Sequence, residues 1–191
     1  MHYRPEIDGL RAVAVLPVIF FHAGFPAFAG GFVGVDVFFV ISGYLITRIL
    51  QQEIIEGRFS LSRFYERRAR RILPALFVVA LACMPFAWLW MLPHELQDFN
   101  QSLVGVATFT SNILFWQESG YFAAPTELKP LLHTWSLAVE EQFYILYPPL
   151  LFLLYRFVPQ RTFVVIGLIA LVSLVLAHHA ATAYPHANFF L

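Results

Sequence analysis

The stretch DGLRAVAVLPVIFFHAGF, residues 8 to 25, is an apolar run of membrane-spanning character that contains two ionisable side chains, Arg11 and His22. An ionisable group inside a bilayer costs on the order of 3 to more than 10 kcal/mol, so such a residue is a candidate for function. The offset from position 11 to position 22 corresponds on an α-helix to a rise of about 16 Å and a rotation about 20° past three full turns. Arg11 and His22 are therefore predicted to share one face of a helix.

The composition of the 191-residue chain predicts a membrane protein, because 59% of the residues are hydrophobic, 17% are aromatic and only 13% are charged. A crossing needs roughly 20 apolar residues. Five predicted spans satisfy this length, at residues 10–28, 32–50, 72–92, 131–155 and 163–180. The stretch 102–116 is shorter and interrupted by polar residues, so it is predicted to be a re-entrant or interfacial helix. The predicted fold is an all-α, polytopic transmembrane helix bundle that forms part of a larger bundle.

The first span also imitates a secretory signal peptide, since Ala27-Phe28-Ala29 before Gly30 resembles a cleavage site. Glu6, Asp8 and Arg11 crowd the charged end of the segment, which is untypical of a leader. The segment is therefore predicted to be retained.

The distribution of basic residues predicts the orientation. Of the 12 Lys and Arg residues, seven fall within residues 48–71: Arg48, Arg58, Arg63, Arg67, Arg68, Arg70 and Arg71. Basic loops lie on the cytoplasmic side. Residues 48–71 and the chain start with Arg4 are therefore predicted to be cytoplasmic, and residues 93–130 to lie outside.

The second span brings a carboxylate toward His22. Asp36 lies about one turn into the span from its outer end, and a carboxylate bonded to one imidazole nitrogen would fix the tautomer and make the other nitrogen more basic. Asp36 is therefore a candidate partner of His22. Two alternatives stay open: Asp36 as a simple helix-start residue, and Arg11 snorkelling to the headgroups while His22 bonds to a neighbouring helix.

The stretch FYERRARRILP, residues 64–74, places Arg68 and Arg71 three positions apart, on one helix face where the chain enters the membrane. Two guanidiniums in this arrangement can clamp phosphates bidentately. The alternative is an ordinary basic cytoplasmic segment that binds anionic lipid headgroups.

The stretch HTWSLAVEEQFYILYP, residues 133–148, contains carboxylates that are too polar to face lipid. Its mixture of aromatic and hydrogen-bonding side chains is typical of sites that hold a sugar or another hydroxylated ligand. A structural polar network between helices is the alternative. The candidate substrate-binding residues are His133, Trp135, Glu140, Glu141 and Tyr144.

Four motifs in the same order carry a family resemblance: IDGLRAVAVLPVIFFH, GGFVGVDVFFVISGYLIT, FYERRARRILP and ELKPLLHTWSLAVEEQFYILYP. The chain resembles the N-terminal part of the acyltransferase-3 family, bacterial membrane proteins that acylate cell-envelope glycans, and is most similar to its O-antigen O-acetyltransferase branch. The resemblance implies a multi-pass protein of the bacterial inner membrane. It also implies acyl-CoA, here acetyl-CoA, as the cytoplasmic donor, and a hydroxyl of an envelope polysaccharide or lipopolysaccharide as the acceptor.

The resemblance assigns roles to residues. It implies that His22 and Arg11 are essential and that Arg68 and Arg71 are the family's arginine pair. The donor is a substrate, so no permanently bound cofactor is expected, and the partners are acyl-CoA, the glycan and the lipid bilayer, without nucleic acid. No metal site is predicted from the histidines near the end of the chain, His178, His179 and His186. They resemble a metal-binding cluster only superficially, because adjacent histidines point in different directions on a helix.

The end of the chain departs from the family pattern. Family members have more spans, often followed by an SGNH-hydrolase-type domain, whereas this sequence stops at PHANFFL in mid-pattern. Residues 1–191 are therefore expected to be the N-terminal portion of a longer transmembrane domain.

The mechanism that the sequence favours has the CoA phosphates near Arg68 and Arg71 and the thioester delivered toward His22. His22 then acts as general base for a sugar hydroxyl or as a transient acyl carrier. Two other function classes stay open. One is a proton-coupled transporter, in which Arg11, His22, Asp36 and Glu140 form a relay; the other is a non-catalytic scaffold.

Overall fold

The computed structural model describes residues 5–119 and 129–190, and within these ranges the chain forms helices and turns but no strand. Arg4 and residues 120–128, which the orientation prediction used, lie outside the described residues, as does the side chain of His186. The helices are α1 (Pro5–His22), α2 (Gly34–Ile55), α3 (Leu61–Trp90), α4 (Pro93–Ala107), α5 (Ser111–Glu118), α6 (Thr134–Phe157), α7 (Thr162–Ala183) and α8 (Pro185–Phe190). The predicted all-α membrane bundle is confirmed.

Four helical segments of the described chain are long and apolar enough to cross a bilayer: Gly31–Ile55, Leu61–Trp90, Thr134–Phe157 and Pro159–Ala183. They correspond to the second through fifth predicted spans. The first predicted span, 10–28, corresponds to α1, which is shifted toward the N-terminus and carries Glu6, Asp8 and Arg11 in its first half. These charges, together with a length of only 18 residues, explain why α1 is not among the four.

The chain divides into two compact units between Phe59 and Ser60. The first unit contains α1 and α2, joined by two short 3₁₀ turns at Pro26–Phe28 and Gly31–Val33. Gly24 ends α1 because it adopts φ +78°, a left-handed conformation that favours glycine. The N–H of Phe25 donates to Phe20 O at 3.1 Å and that of Gly24 to Phe21 O at 3.0 Å, the two bonds of a Schellman motif.

Two glycines allow α1 and α2 to pack with their backbones in close contact. A Cβ atom at Gly34 would lie 2.0 Å from the carbonyl oxygen of Ala14, and one at Gly31 would lie 2.1 Å from that of Pro17. No side chain can be accommodated at these distances, so only glycine permits this approach. The pairing holds Arg11, in the first half of α1, and His22, at its C-terminal end, on one hairpin.

In the second unit, α3 begins at Leu61, well before its apolar part. The predicted basic loop, residues 48–71, is therefore wrong as a loop: Arg48 lies in α2 and the arginines from position 63 onward lie in the first turns of α3. Arginine is a good helix former, and Arg70 Nη2 pairs with Glu66 Oε1 at 2.7 Å, four positions earlier on the same helix. Arg68 and Arg71 consequently share a rigid element.

The stretch 102–116 is not one helix, in contrast to the prediction. It is divided between α4 and α5 by a turn in which Phe109 adopts φ 55°. That conformation is uncommon for a residue other than glycine, and the carbonyl of Phe109 is held by a hydrogen bond from Gln142 Nε2 at 2.8 Å. The turn is therefore stabilised by a polar side chain of α6.

The apolar core of the second unit lies where α3, α4 and the segment before α6 meet. Its buried members are Leu76, Ala87, Phe99, Val106 and Leu131. This core joins α3 to the segment that leads into α6, and it therefore helps to hold these two helices together. Contacts between α3 and α6 form part of the candidate site described below.

Candidate functional site

The first candidate group lies on α1. His22 is the last residue of the helix and its ring is exposed. Its Nδ1 lies 2.8 Å from the carbonyl oxygen of Val18, one turn earlier. A peptide carbonyl can only accept, so Nδ1 carries the proton and, in the neutral ring, Nε2 is the basic nitrogen. The helix backbone thus selects the tautomer that a general base requires.

Arg11, which lies on the same helix as His22, is held against α2. Its guanidinium carbon lies 5.7 Å from the centre of the Phe38 ring, and its Nη1 lies 3.9 Å from Asp8 Oδ1. Its side chain is 21% exposed, and its buried Nε has no hydrogen-bond partner within the described residues. Arg11 therefore retains hydrogen-bonding capacity while its position is fixed by packing.

The structure does not bring Asp36 to His22. Asp36 is exposed in the first turn of α2, and no hydrogen bond or ion pair joins it to the rest of the described chain. The reason is rotational: Gly34 faces α1, and two positions later a helix has turned by about 200°. The structure therefore does not pair Asp36 with His22, in contrast to the prediction, which used only the depth of the two residues in the membrane.

The second candidate group joins α3 to α6. The guanidinium carbon of Arg68 lies 3.8 Å from the centroid of the Tyr144 ring, a distance at which a cation and an aromatic face attract each other. Tyr144 is 2% exposed, and its hydroxyl donates to the Glu140 carboxylate one turn earlier. Arg68, Tyr144 and Glu140 therefore form one chain of contacts.

Glu141 completes this group. It is 7% exposed and interacts electrostatically with Arg68. Its Oε1 and the Nε of Arg68 are both buried, and neither has a hydrogen-bond partner within residues 5–119 and 129–190. Both atoms therefore have unused hydrogen-bonding capacity at the junction of α3 and α6.

Arg71 differs from Arg68. It is exposed, and the described part of the chain offers it no ion pair. The two arginines therefore do not form a symmetric clamp: one is packed against α6, and the other is accessible to a ligand.

His133, the residue before α6, and Trp135, in its first turn, lie at a different level from Tyr144. They precede Tyr144 by 11 and nine positions, which corresponds to about 16 and 14 Å along a helix. The Trp135 ring packs against Phe189 and Phe190 of α8, with centroid distances of 5.0 and 5.9 Å. The structure therefore groups Glu140, Glu141 and Tyr144 with Arg68, but it places Trp135 in a separate aromatic cluster.

Sequence reasoning missed a buried network around α5. Gln142 Nε2 donates to Asn112 Oδ1 at 2.9 Å as well as to Phe109 O, and Asn112 Nδ2 donates to Phe190 O at 3.2 Å. Asn112 is 2% exposed. The available signal was the pair of amides Asn112 and Gln142 within apolar segments, because buried amides need partners.

Tyr65 was also missed. Its hydroxyl donates to the carbonyl oxygen of Ile145 at 2.8 Å and so ties α3 to α6. The sequence signal was the consecutive pair Pro148 and Pro149 within a helix, which must leave carbonyls of the preceding turn without their usual donors.

The comparison with protein families finds one match over nearly the whole chain. The acyltransferase-3 family model, described as an acyltransferase domain, matches residues 4–191. No solved structure matches this sequence.

Curated proteins with similar sequences are named O-acetyltransferases. The chain is 36% identical over 174 residues to O-acetyltransferase OatA of Staphylococcus aureus strain NCTC 8325 / PS 47, a match that covers 90% of this chain and 29% of that protein. It is 39% identical over 162 residues to "Putative O-acetyltransferase SAS0844" of Staphylococcus aureus strain MSSA476, covering 84% of this chain and 27% of that protein. The chain thus spans less than a third of the length of these curated relatives.

Proposed function

This chain belongs to the acyltransferase-3 family, and on that premise we propose that it is the membrane part of an O-acetyltransferase. The donor is acetyl-CoA taken from the cytoplasmic side, and the acceptor is a hydroxyl of a cell-envelope polysaccharide or lipopolysaccharide. The names of the relatives support the acetyl group and the oxygen acceptor. Because the match covers under a third of those relatives, the activity is assigned to the whole protein that contains this chain.

The observation that carries the proposal is the hydrogen bond between His22 and Val18. With Nδ1 donating to the Val18 carbonyl at 2.8 Å, the neutral imidazole has its basic nitrogen at Nε2, on an exposed ring at the end of α1. A general base needs this combination of a fixed tautomer and an exposed side chain.

The proposed reaction uses Nε2 in two proton transfers. Nε2 takes the proton of the acceptor hydroxyl while the hydroxyl oxygen attacks the thioester carbonyl carbon. The carbon–sulfur bond then breaks, and the imidazolium returns the proton to the departing thiolate, which gives the ester and free CoA. In the covalent variant, Nε2 itself attacks the carbonyl carbon and expels the CoA thiolate. The hydroxyl oxygen then takes the acyl group from Nε2, and its proton passes to the thiolate, which again gives the ester and free CoA.

The arginines supply the positive charge that a CoA molecule requires. Arg71 is exposed on the basic first part of α3, so we assign it to direct contact with the donor phosphates. Arg68 is packed on Tyr144 and supplies a second positive charge near Arg71. Arg11 contributes positive charge on α1, held in place by Phe38.

The cytoplasmic assignment rests on the basic start of α3. A cysteine placed at exposed Arg63 in a Cys83→Ala background should react with an impermeant maleimide only after the cytoplasmic face is opened. Labelling of intact cells at this position would overturn the orientation.

The proposed function is tested with labelled acetyl-CoA. Membranes that contain the full-length protein should transfer label to envelope glycan, and His22→Ala should lower the rate by about 10²-fold to 10⁴-fold, as is typical when a general base is lost. His178→Ala is the matched control, because His178 is an exposed histidine on α7. Near-normal transfer by a correctly inserted His22→Ala protein would overturn the catalytic role.

A further inference from the structure

Two consecutive prolines interrupt the hydrogen bonding of α6. Pro148 and Pro149 lie inside this helix, and a proline has no N–H to donate to the carbonyl four positions earlier. For Pro149, that carbonyl belongs to Ile145. In a membrane-spanning helix, a carbonyl without a donor is costly, because no water is present to replace it.

The missing donor is supplied by another helix. Tyr65 of α3 donates its hydroxyl proton to Ile145 O at 2.8 Å. The tyrosine is half-buried, so its ring lies against protein while its hydroxyl reaches the backbone of α6. This bond sets both the distance and the lengthwise register between α3 and α6 at Ile145, whose carbonyl is one of the two that the consecutive prolines leave without a helical donor.

The same register sets the position of Arg68. Tyr65 and Arg68 are three positions apart on α3, hence on one face and about 4.5 Å apart along the helix. Their partners on α6, Ile145 and Tyr144, are adjacent in sequence. A helix anchored at Tyr65 therefore presents Arg68 to the Tyr144 ring, 3.8 Å from its guanidinium carbon.

We propose that Tyr65 is a positioning residue for Arg68: by donating to the carbonyl that Pro149 frees, it holds Arg68 over Tyr144. Arg68 depends on such support, because its buried Nε has no hydrogen-bond partner in the described chain. The role in donor binding rests on the proposed function, whereas the positioning of Arg68 does not.

The first test measures position without activity. Phenylglyoxal modifies accessible guanidiniums, and exposed Arg71 serves as internal reference for Arg68 in the same protein. In Tyr65→Phe, the modification rate of Arg68 relative to Arg71 should rise by about three- to tenfold, the factor expected from losing one hydrogen bond. Tyr155→Phe is the matched control, because Tyr155 is a half-buried tyrosine of α6 whose hydroxyl bonds to no other described residue. An unchanged ratio in Tyr65→Phe would overturn the proposal.

The second test separates positioning from general stability. Pro149→Ala restores an N–H for Ile145 O, so the double variant Tyr65→Phe/Pro149→Ala should recover the thermal stability that Tyr65→Phe loses. It should not recover the low Arg68 modification ratio, because the link between the helices is still absent. Recovery of both quantities would show that Tyr65 only satisfies the carbonyl, and it would overturn the positioning role.

The kinetic readout connects the inference to transfer. Tyr65→Phe should raise the KM for acetyl-CoA by about three- to tenfold with little change in kcat, and it should add nothing further in an Arg68→Ala background. Full additivity of the two variants would overturn action through Arg68. A wild-type protein that transfers no acetyl group would contradict the proposed function, while the modification ratio would still decide whether Tyr65 positions Arg68.

Discussion

Arg68 stacks on Tyr144, with 3.8 Å between the guanidinium carbon and the ring centroid, while Arg71, three positions further along α3, is exposed. A planar guanidinium can lie flat on an aromatic ring and still present N–H donors at its edge. The two arginines are therefore chemically unequal although the sequence presents them as a pair. Their substitutions should have different consequences.

Lysine substitutions should reveal this inequality. Arg68→Lys replaces a stacked plane with a compact ammonium, so we expect a loss of about 1 kcal/mol of stability, visible as a lower Tm in detergent. Arg71→Lys should leave the Tm unchanged but raise the KM for acetyl-CoA about tenfold, through loss of bidentate phosphate contact. Equal effects of both variants on the Tm would contradict the asymmetry.

The contact between α1 and α2 should not tolerate a side chain at Gly34. A Cβ there would lie 2.0 Å from the Ala14 carbonyl oxygen, so Gly34→Ala must separate the helices and should cost about 1–3 kcal/mol or more. Gly43→Ala on the same helix is the control, because nothing lies within 4 Å of its added Cβ. That control should be neutral or stabilising by up to about 1 kcal/mol. Thermal unfolding of the two variants measures the difference, and an equal Tm would contradict the close packing.

The turn between α4 and α5 should depend on Gln142. Gln142→Met keeps the shape but removes the donor to Phe109 O and Asn112 Oδ1, which should cost about 1–3 kcal/mol for each acceptor left unsatisfied. Limited proteolysis and the Tm should both show the loss. Gln101→Met, at an exposed position of α4, should leave both unchanged. A stable Gln142→Met protein would mean that other groups hold the turn.

Asp36 should not be required for transfer. Because Asp36 makes no hydrogen bond or ion pair with the rest of the described chain and faces away from α1, Asp36→Asn should change the transfer rate by less than about threefold, well below the effect of losing a general base. A loss of transfer comparable to that of His22→Ala would restore the pairing that depth alone suggests.

The spans were predictable because hydrophobic length is a local property. Four of the five predicted spans correspond to helices that are long and apolar enough to cross. Polar residues within the predicted spans marked Arg11 and His22 in the first span and Glu141 in the fourth as candidates. Helix ends were less accessible to prediction. The charge pattern favours a basic loop that runs on to residue 71, whereas the helix that carries Arg68 and Arg71 already begins at Leu61.

Pairings between distant residues could not be derived in the same way. The depth of Asp36 in its span suggested a partnership with His22, but depth does not specify rotation about the helix axis, and Gly34 turns Asp36 away from α1. The bond from Tyr65 to Ile145 joins residues 80 positions apart, and no local pattern encodes which carbonyl freed by a proline meets which donor.

The amino-acid sequence alone specifies an all-α membrane bundle with an arginine and a histidine on the first helix, because apolar run length and helical periodicity are properties of contiguous residues. Which charged groups meet depends on how the helices pack. Arg68 is packed on Tyr144 while Arg71 is exposed, and Asp36 faces away from His22. Such contacts depend on the rotation and register of packed helices. In this protein, close glycine contacts and single hydrogen bonds fix that rotation and register.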